Sequence, residues 1–213
     1  RFLMLIDHQG NGQRTRLVET PSFSTRPDSA VRLAAILPSD AVVGAAAELI
    51  VRAEDCWGNP TWLSSPPRIV PVGKDSGEQM VSIERLNVET VRPAYHYRAT
   101  FTAPGDYQLE VQADEIAAAA VTNVVAVRAE QPELQLFWGD VHSGQTEIGC
   151  GCGSLAEHYA FGRDCAGLKF ITHQANDHYV TLEEWDETRQ VTDAYYEPGR
   201  YVPLLGCEWS PLT

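Results

Sequence analysis

The sequence has no apolar run approaching the roughly 20 residues that cross a bilayer as a helix, so no membrane span is expected. Its first residues, Arg1-Phe2-Leu3-Met4-Leu5-Ile6-Asp7, lack the long apolar core and small-residue cleavage site of a signal peptide. They also lack an initiator Met, as an internal segment would. Clusters of Lys and Arg are absent, and the formal net charge is -13, so polyphosphate backbones would be repelled and nucleic acid is not an expected partner. An acidic chain can still bind metal ions. A disulfide framework is missing as well. Cys56, Cys150, Cys152, Cys165 and Cys207 are odd in number and scattered, which fits reduced thiols in a cytoplasmic protein, with the periplasm or secretion as the alternative if a leader was removed. There is no internal repeat, and the Ala run at 117–120 is too short to interpret. What is present is 213 residues, enough for two domains that each bury a core.

The two parts differ in periodicity. From residue 28 to residue 130 the pattern has period two. In Tyr95-His96-Tyr97-Arg98-Ala99-Thr100-Phe101-Thr102 the odd positions are apolar and the even ones polar, which places one face on a core and the other in water. Pro104-Gly105-Asp106 then reads as a hairpin turn, because Tyr107, Leu109 and Val111 alternate with Gln108, Glu110 and Gln112. Ala47, Leu49, Val51 and Ala53 alternate in the same way before the breaker Trp57-Gly58-Asn59-Pro60. Further strands are expected at 31–37, 68–72, 80–86 and 123–127. Strands spaced by turns without helices point to an antiparallel β-sandwich of immunoglobulin-like architecture. Residues 1–27 read as an N-terminal arm or extra hairpin turning at Gly10-Asn11-Gly12.

After Gln131-Pro132 the pattern changes, and residues 131–213 read as alternating strands and helices. Strands are expected at 134–141, 168–172 and 201–205. Ser154-Leu155-Ala156-Glu157 and Thr181-Leu182-Glu183-Glu184 are capping boxes that open two intervening helices. The first should end at Gly167 and the second at Glu197-Pro198-Gly199. Such an order builds parallel sheet, in a barrel or a doubly wound fold. Three strands do not close a barrel, so the remainder is expected C-terminal to Thr213.

In parallel α/β folds the carboxyl ends of the strands converge on one crevice. Here those ends read Asp140-Val141-His142-Ser143-Gly144-Gln145, Thr172-His173-Gln174-Ala175-Asn176-Asp177-His178 and Glu208. Imidazole and carboxylate together suit zinc, iron or manganese, and a bound metal would lower the pKa of its water and supply a hydroxide. Hydrolysis is the chemistry that follows.

The text at Phe137-Trp138-Gly139-Asp140-Val141-His142-Ser143-Gly144-Gln145-Thr146, Glu157 to Asp164, Ile171 to Asp177, Glu184-Trp185, Pro198 to Pro203 and Gly206-Cys207-Glu208-Trp209-Ser210 resembles the DUF3604 family, related to the PHP (polymerase and histidinol phosphatase) superfamily. Residues 31–60, with Val51-Arg52-Ala53-Glu54-Asp55-Cys56-Trp57-Gly58-Asn59-Pro60, resemble the segment before the barrel in that family. The resemblance implies a seven-stranded (β/α) barrel that holds divalent metals and cleaves phosphoesters. It matches His142 to the first His of the His-x-His motif and Glu208 to the Glu of the Gly-x-Glu strand. Two positions depart from it. Gly144 stands where the second His would be, and His173 stands one position early in Thr172-His173-Gln174. Gln145, Asn176, Asp177 or His178 would then replace a missing ligand, or fewer metals bind.

The expected ligands are therefore His142, His173 and Glu208, with Asp140 or Asp177 as a further ligand or base. The substrate would be a small molecule or phosphoester. A chain ending at Thr213 is expected to be inactive alone, and a degenerate barrel beside a binding or docking module is the alternative. Cys150-Gly151-Cys152 reads more readily as a loop of small side chains than as a soft metal clip or redox pair, and Gly149 to Gly153 before a capped helix could cradle an anion. Arg163-Asp164 reads as an ion pair and His158 as a packing residue. Trp138, Trp185 and Trp209 are candidate crevice walls, while His8 and His96 are assigned no chemistry.

Overall fold

The computed structural model of the chain describes residues 4–20, 24–72 and 80–210. The chain is mostly β, in several sheets, with two α-helices among the described residues. β1 (Leu5–Ile6) and β2 (Thr15–Arg16) form a separate antiparallel ribbon. The Asp7 carboxylate accepts the N–H groups of Gln9, Asn11 and Gly12 at 3.2, 3.1 and 2.7 Å and so holds the loop between them.

Next come β3 (Arg32–Ile36), β4 (Asp40–Val42), β5 (Ala46–Glu54), β6 (Pro60–Thr61), β7 (Arg68–Pro71), β8 (Val81–Leu86) and β9 (Tyr95–Phe101). They are followed by β10 (Gly105–Tyr107), β11 (Leu109–Ala113), β12 (Ile116–Val121) and β13 (Val125–Arg128). A five-stranded sheet has the order β3-β5-β9-β8, with β6 also on β5; β12-β11-β7 and β10-β13-β4 are three-stranded. One core takes side chains from all three sheets, including Leu49 and Val51 of β5, Tyr97 and Phe101 of β9, Leu109 and Val111 of β11 and Val125 of β13. Each fully buried side chain of this size is worth roughly 1.5–3 kcal/mol relative to exposure.

Two expectations are corrected here, the hairpin and the solvated face of β9. The hairpin at Pro104-Gly105-Asp106 does not form, because both edges of β9 are already taken by β5 and β8. The chain crosses to other sheets instead, where β10 pairs with β13 and β11 with β12 and β7. The Ala run lies within a strand, β12, paired to β11. The polar face of β9 is not all in water, since His96 is 1% exposed.

The second region contains β14 (Gly139–Asp140), α1 (Leu155–Asp164), β15 (Phe170–Thr172), a 3-10 turn (Asp177–Tyr179), α2 (Leu182–Tyr195) and β16 (Val202–Leu204). The strands are parallel in the order β14-β15-β16, with Asp140 opposite Ile171 and Ile171 opposite Pro203. Both capping boxes form, at Ser154 with Glu157 and at Thr181 with Glu184. A small core joins Ile148, Leu155, Tyr159, Ile171, Ala175 and Tyr201. Within it the Tyr201 hydroxyl donates to the Tyr159 carbonyl at 2.9 Å. Gly162 permits α1 to lie this close to β15, because a Cβ there would come within 2.9 Å of both Ile171 and Tyr201.

The strand expected at 134–141 is reduced to Gly139–Asp140. Its first half bonds to the β4 neighbourhood instead, Leu136 N–H to the Asp40 carboxylate and Trp138 Nε1–H to Ser39 Oγ, both at 2.8 Å. α2 ends at Tyr195, ahead of the expected break at Glu197. Among the described residues no helix is long and apolar enough to cross a membrane.

Candidate functional site

The ends of β14, β15 and β16 lie along one edge of the parallel sheet and are stitched together beyond the strands. Gln174 N–H donates to the Gly144 carbonyl at 3.1 Å, Glu208 N–H to Ala175 at 2.9 Å, and Asp177 N–H to Glu208 at 3.0 Å. Asn176 and Glu208 thus form a parallel bridge. The resulting edge carries all the residues expected from the sequence, but among the described residues no three His, Cys, Asp or Glu side chains converge.

Asp140 is exposed at the end of β14, and its Oδ1 accepts the His142 N–H at 2.8 Å. The His142 ring is itself exposed. Gln145 is bound at both ends: its carbonyl oxygen accepts the Cys150 N–H at 2.9 Å and its amide donates to Asn176 Oδ1. These bonds fasten the loop after β14 to the loop after β15. Gly149, at φ +103, lies beside the same side chain, and a Cβ there would strike Gln145 Oε1. Asp177 Oδ1 accepts Ser210 N–H at 3.2 Å and lies 3.4 Å from His178 Nδ1. Glu208 is exposed and joins this group through its backbone.

His173 turns inward and is 1% exposed. Its Nε2 lies 3.2 Å from the Thr146 N–H and 3.1 Å from the Thr146 hydroxyl. A backbone N–H only donates, so Nε2 presents its lone pair and the neutral ring carries its proton on Nδ1. That Nδ1 is buried with no hydrogen-bond partner, as is Gln174 Oε1. An orphan of this kind costs about 1–3 kcal/mol. Burial, and then the neighbouring His158, push the His173 imidazole below its ordinary pKa, so the neutral form is favoured.

His158, read from the sequence as a residue that packs, is half-buried beside this edge. It sits on α1 with its ring centroid 6.1 Å from that of His173 and its Nε2 2.8 Å from Ser143 Oγ. The Ser143 hydroxyl donates to the Thr172 carbonyl, so His158 Nε2–H is the donor to Ser143. Burial pushes this imidazole down as well, against the pull of the Asp140 charge. The packing role follows from the spacing: His158 stands three residues after buried Leu155 and beside buried Tyr159.

The donor types on this edge are those that zinc, manganese or iron accept. As a set they do not fit a metal, because the described residues hold no group of three His, Cys, Asp or Glu side chains placed to share one. The Thr146 N–H occupies the Nε2 lone pair of His173, while His142, Asp177 and Glu208 are spread along the edge.

The loop from Gly149 to Gly153 is not a free anion cradle. The Cys150 and Gly151 N–H groups bond to Gln145 and Thr146, and the Ser154 N–H faces the Glu157 carboxylate. Cys150 and Cys152 are unpaired, like the other cysteines. Trp138 and Trp209 are exposed, and Trp185 is half-buried on α2. Arg163 and Asp164 form the expected ion pair, at 2.8 Å.

No known family model matches the chain, and no curated protein matches it. Solved structures give weak likenesses. The Escherichia coli adhesin FdeC has a TM-score of 0.38 at 15% identity, covering 48% of this chain and 32% of the adhesin. The S-layer protein rSbsC(31-844) has 0.37 at 13%, covering 56% and 15%. The Lin-41 filamin domain has 0.37 at 13%, covering 49% of this chain and 100% of that domain. The chain thus spans about a third of the adhesin and less than a fifth of the S-layer protein. At this level the likenesses carry no functional assignment.

Proposed function

We propose that the chain joins an immunoglobulin-like β-sandwich, residues 28–130, to the first β/α units of a PHP-like barrel, residues 131–213, with residues 1–27 as an arm. The whole protein is then a metal-dependent, phosphoesterase-like hydrolase of the DUF3604 kind, acting on a small-molecule or phosphoester substrate. The supporting observation is the parallel sheet β14-β15-β16, which brings Asp140, His142, His173, Asn176, Asp177 and Glu208 to one edge. Three strands leave that sheet open, so further strands from outside the described residues complete both barrel and ligand set. A cytoplasmic location belongs to the same proposal.

Within this reading the chain's own residues frame the crevice. Asp140 holds the backbone of His142, the Gln145–Asn176 bond joins two strand-end loops, and Ser143 fixes the ring of His158. A second reading, a non-catalytic docking module with a degenerate barrel, draws support from Gly144. Its φ of +96 favours glycine, at the position where the family resemblance places a second histidine.

Elemental analysis of the protein with its later barrel strands, paired with turnover of phosphomonoesters and phosphodiesters in added manganese or zinc, tests the proposal. Bound metal that is lost in His142→Ala supports it. Unchanged metal in that variant overturns the ligand assignment, and absence of turnover favours the docking module.

A further inference from the structure

The outer face of the five-stranded sheet carries alternate residues of its strands: Ile36 of β3, Glu48, Ile50 and Arg52 of β5, and His96 and Arg98 of β9. A face of this kind is usually solvated. Here Ile50 is buried in a cluster with Ala94 and Cys165, and Phe161 packs on it, so the end of α1 rests on the sheet. The cluster is small, and polar groups make the specific contacts.

A helix leaves its last carbonyls without intrahelical partners and carries partial negative charge at that end. In α1 the Phe161 carbonyl accepts the N–H groups of Cys165 and Ala166, and the Gly162 carbonyl accepts Leu168. The carbonyls of Asp164 and Cys165 are served from the sheet. His96 Nε2–H donates to the Asp164 carbonyl at 2.8 Å, and Arg52 Nη1 donates to the Cys165 carbonyl at 2.6 Å. Both donors are held in place. His96 Nδ1 lies 3.0 Å from Glu48, Arg52 is paired to Glu54 at 3.0 Å, and its guanidinium stands 5.8 Å from the Phe161 ring. Arg200 adds a looser link, 3.9 Å from Glu48 and 3.8 Å from Asp164.

We propose that His96 and Arg52 are positioning residues: they cap α1 from another sheet and so set where the helix holds His158 against Ser143 and His173. The β region is thereby part of the architecture of the crevice edge rather than an independent module beside it. The position of α1 follows from these contacts whether or not the crevice is catalytic.

The test uses the whole chain with Arg52→Gln, Arg52→Lys and His96→Leu, and with Arg98→Gln as a control on the same face. Arg98 pairs with Glu84 and is exposed. Amide exchange across α1 and the NMR signal of the His158 imidazole are recorded. In Arg52→Gln the last turn of α1 should exchange about tenfold faster or more relative to β5 and β9, the scale of one hydrogen bond from a charged donor. The His158 signal should shift with it, Arg52→Lys should restore both, and Arg98→Gln should change neither. If His96→Leu does not fold, the Arg52 series alone decides. Exchange in α1 that rises only in step with β5 and β9, or an unmoved His158 signal in Arg52→Gln, overturns the proposal.

Discussion

His158 Nε2 stands 2.8 Å from Ser143 Oγ, joining the first helix of the parallel region to the loop that follows its first strand. With Gln145 and Asn176 it makes the strand-end edge a braced structure, and its bonds can be removed one at a time.

Gln145→Ala removes the acceptor of the Cys150 N–H and the donor to Asn176 together. The expected loss is about 1–2 kcal/mol in global stability, with faster amide exchange at Cys150. Exchange at Cys150 equal to wild type would show that the loop is held by other contacts.

Gly162→Ala places a methyl against Ile171 and the Tyr201 hydroxyl, inside a core where Tyr201 already bonds to Tyr159. Overpacking of this kind costs about 1–3 kcal/mol, to be read from the urea midpoint. A midpoint unchanged or raised would mean that α1 can shift away from β15 without penalty.

Ser154→Ala and Thr181→Ala each delete one half of a reciprocal cap. Each should lower stability by about 1 kcal/mol in chemical denaturation. The two sites lie on different helices, so the double variant should show the sum.

Asp55 contributes to the acid limb of the stability curve. Burial pushes its carboxyl upward, but the Asn59 side chain and the N–H groups of Asp28, Asn59 and Trp57 outweigh this and hold it at about 2. A folded-state value below the ordinary one of about 3.9 means that its stabilisation is complete above that pH and is lost as pH falls toward about 2. Asp55→Asn should therefore flatten the decline of the denaturation midpoint between about pH 5 and 2. Parallel declines in the two proteins would contradict this.

Residues 1–213 alone should take up less than one equivalent of zinc or manganese and show no phosphoester turnover, since among the described residues no three candidate ligands converge. Stoichiometric metal on elemental analysis, removed by His173→Ala, would refute that expectation.

Much of the local structure was legible because its causes are local. The alternation in β5 and β9, and the Ser-x-x-Glu and Thr-x-x-Glu signatures of the two helices, are written in consecutive residues. What failed depended on partners distant in sequence. Pro104-Gly105-Asp106 has turn chemistry, but β5 and β8 had already filled the edges of β9. Residues 134–141 read as a strand, yet Leu136 and Trp138 bond to Asp40 and Ser39 nearly a hundred residues away. The candidate site divides in the same way. Sequence placed the chemistry-bearing residues at strand ends, but not which would turn inward. His173 is buried against Thr146 and His158, whereas His142 stays exposed, and that distinction comes from packing by α1 and by the loop after β14.

The burial of Cys165 has a practical consequence. Its side chain is fully enclosed where α1 meets the sheet, and its thiol is pushed up to about 11, chiefly by that burial. Cys56, Cys150, Cys152 and Cys207 are exposed. Alkylation followed by mass spectrometry should therefore separate a fast group of four labels from one slow label. The slow one ticks only when helix and sheet part, so the chain carries its own clock for that breathing motion.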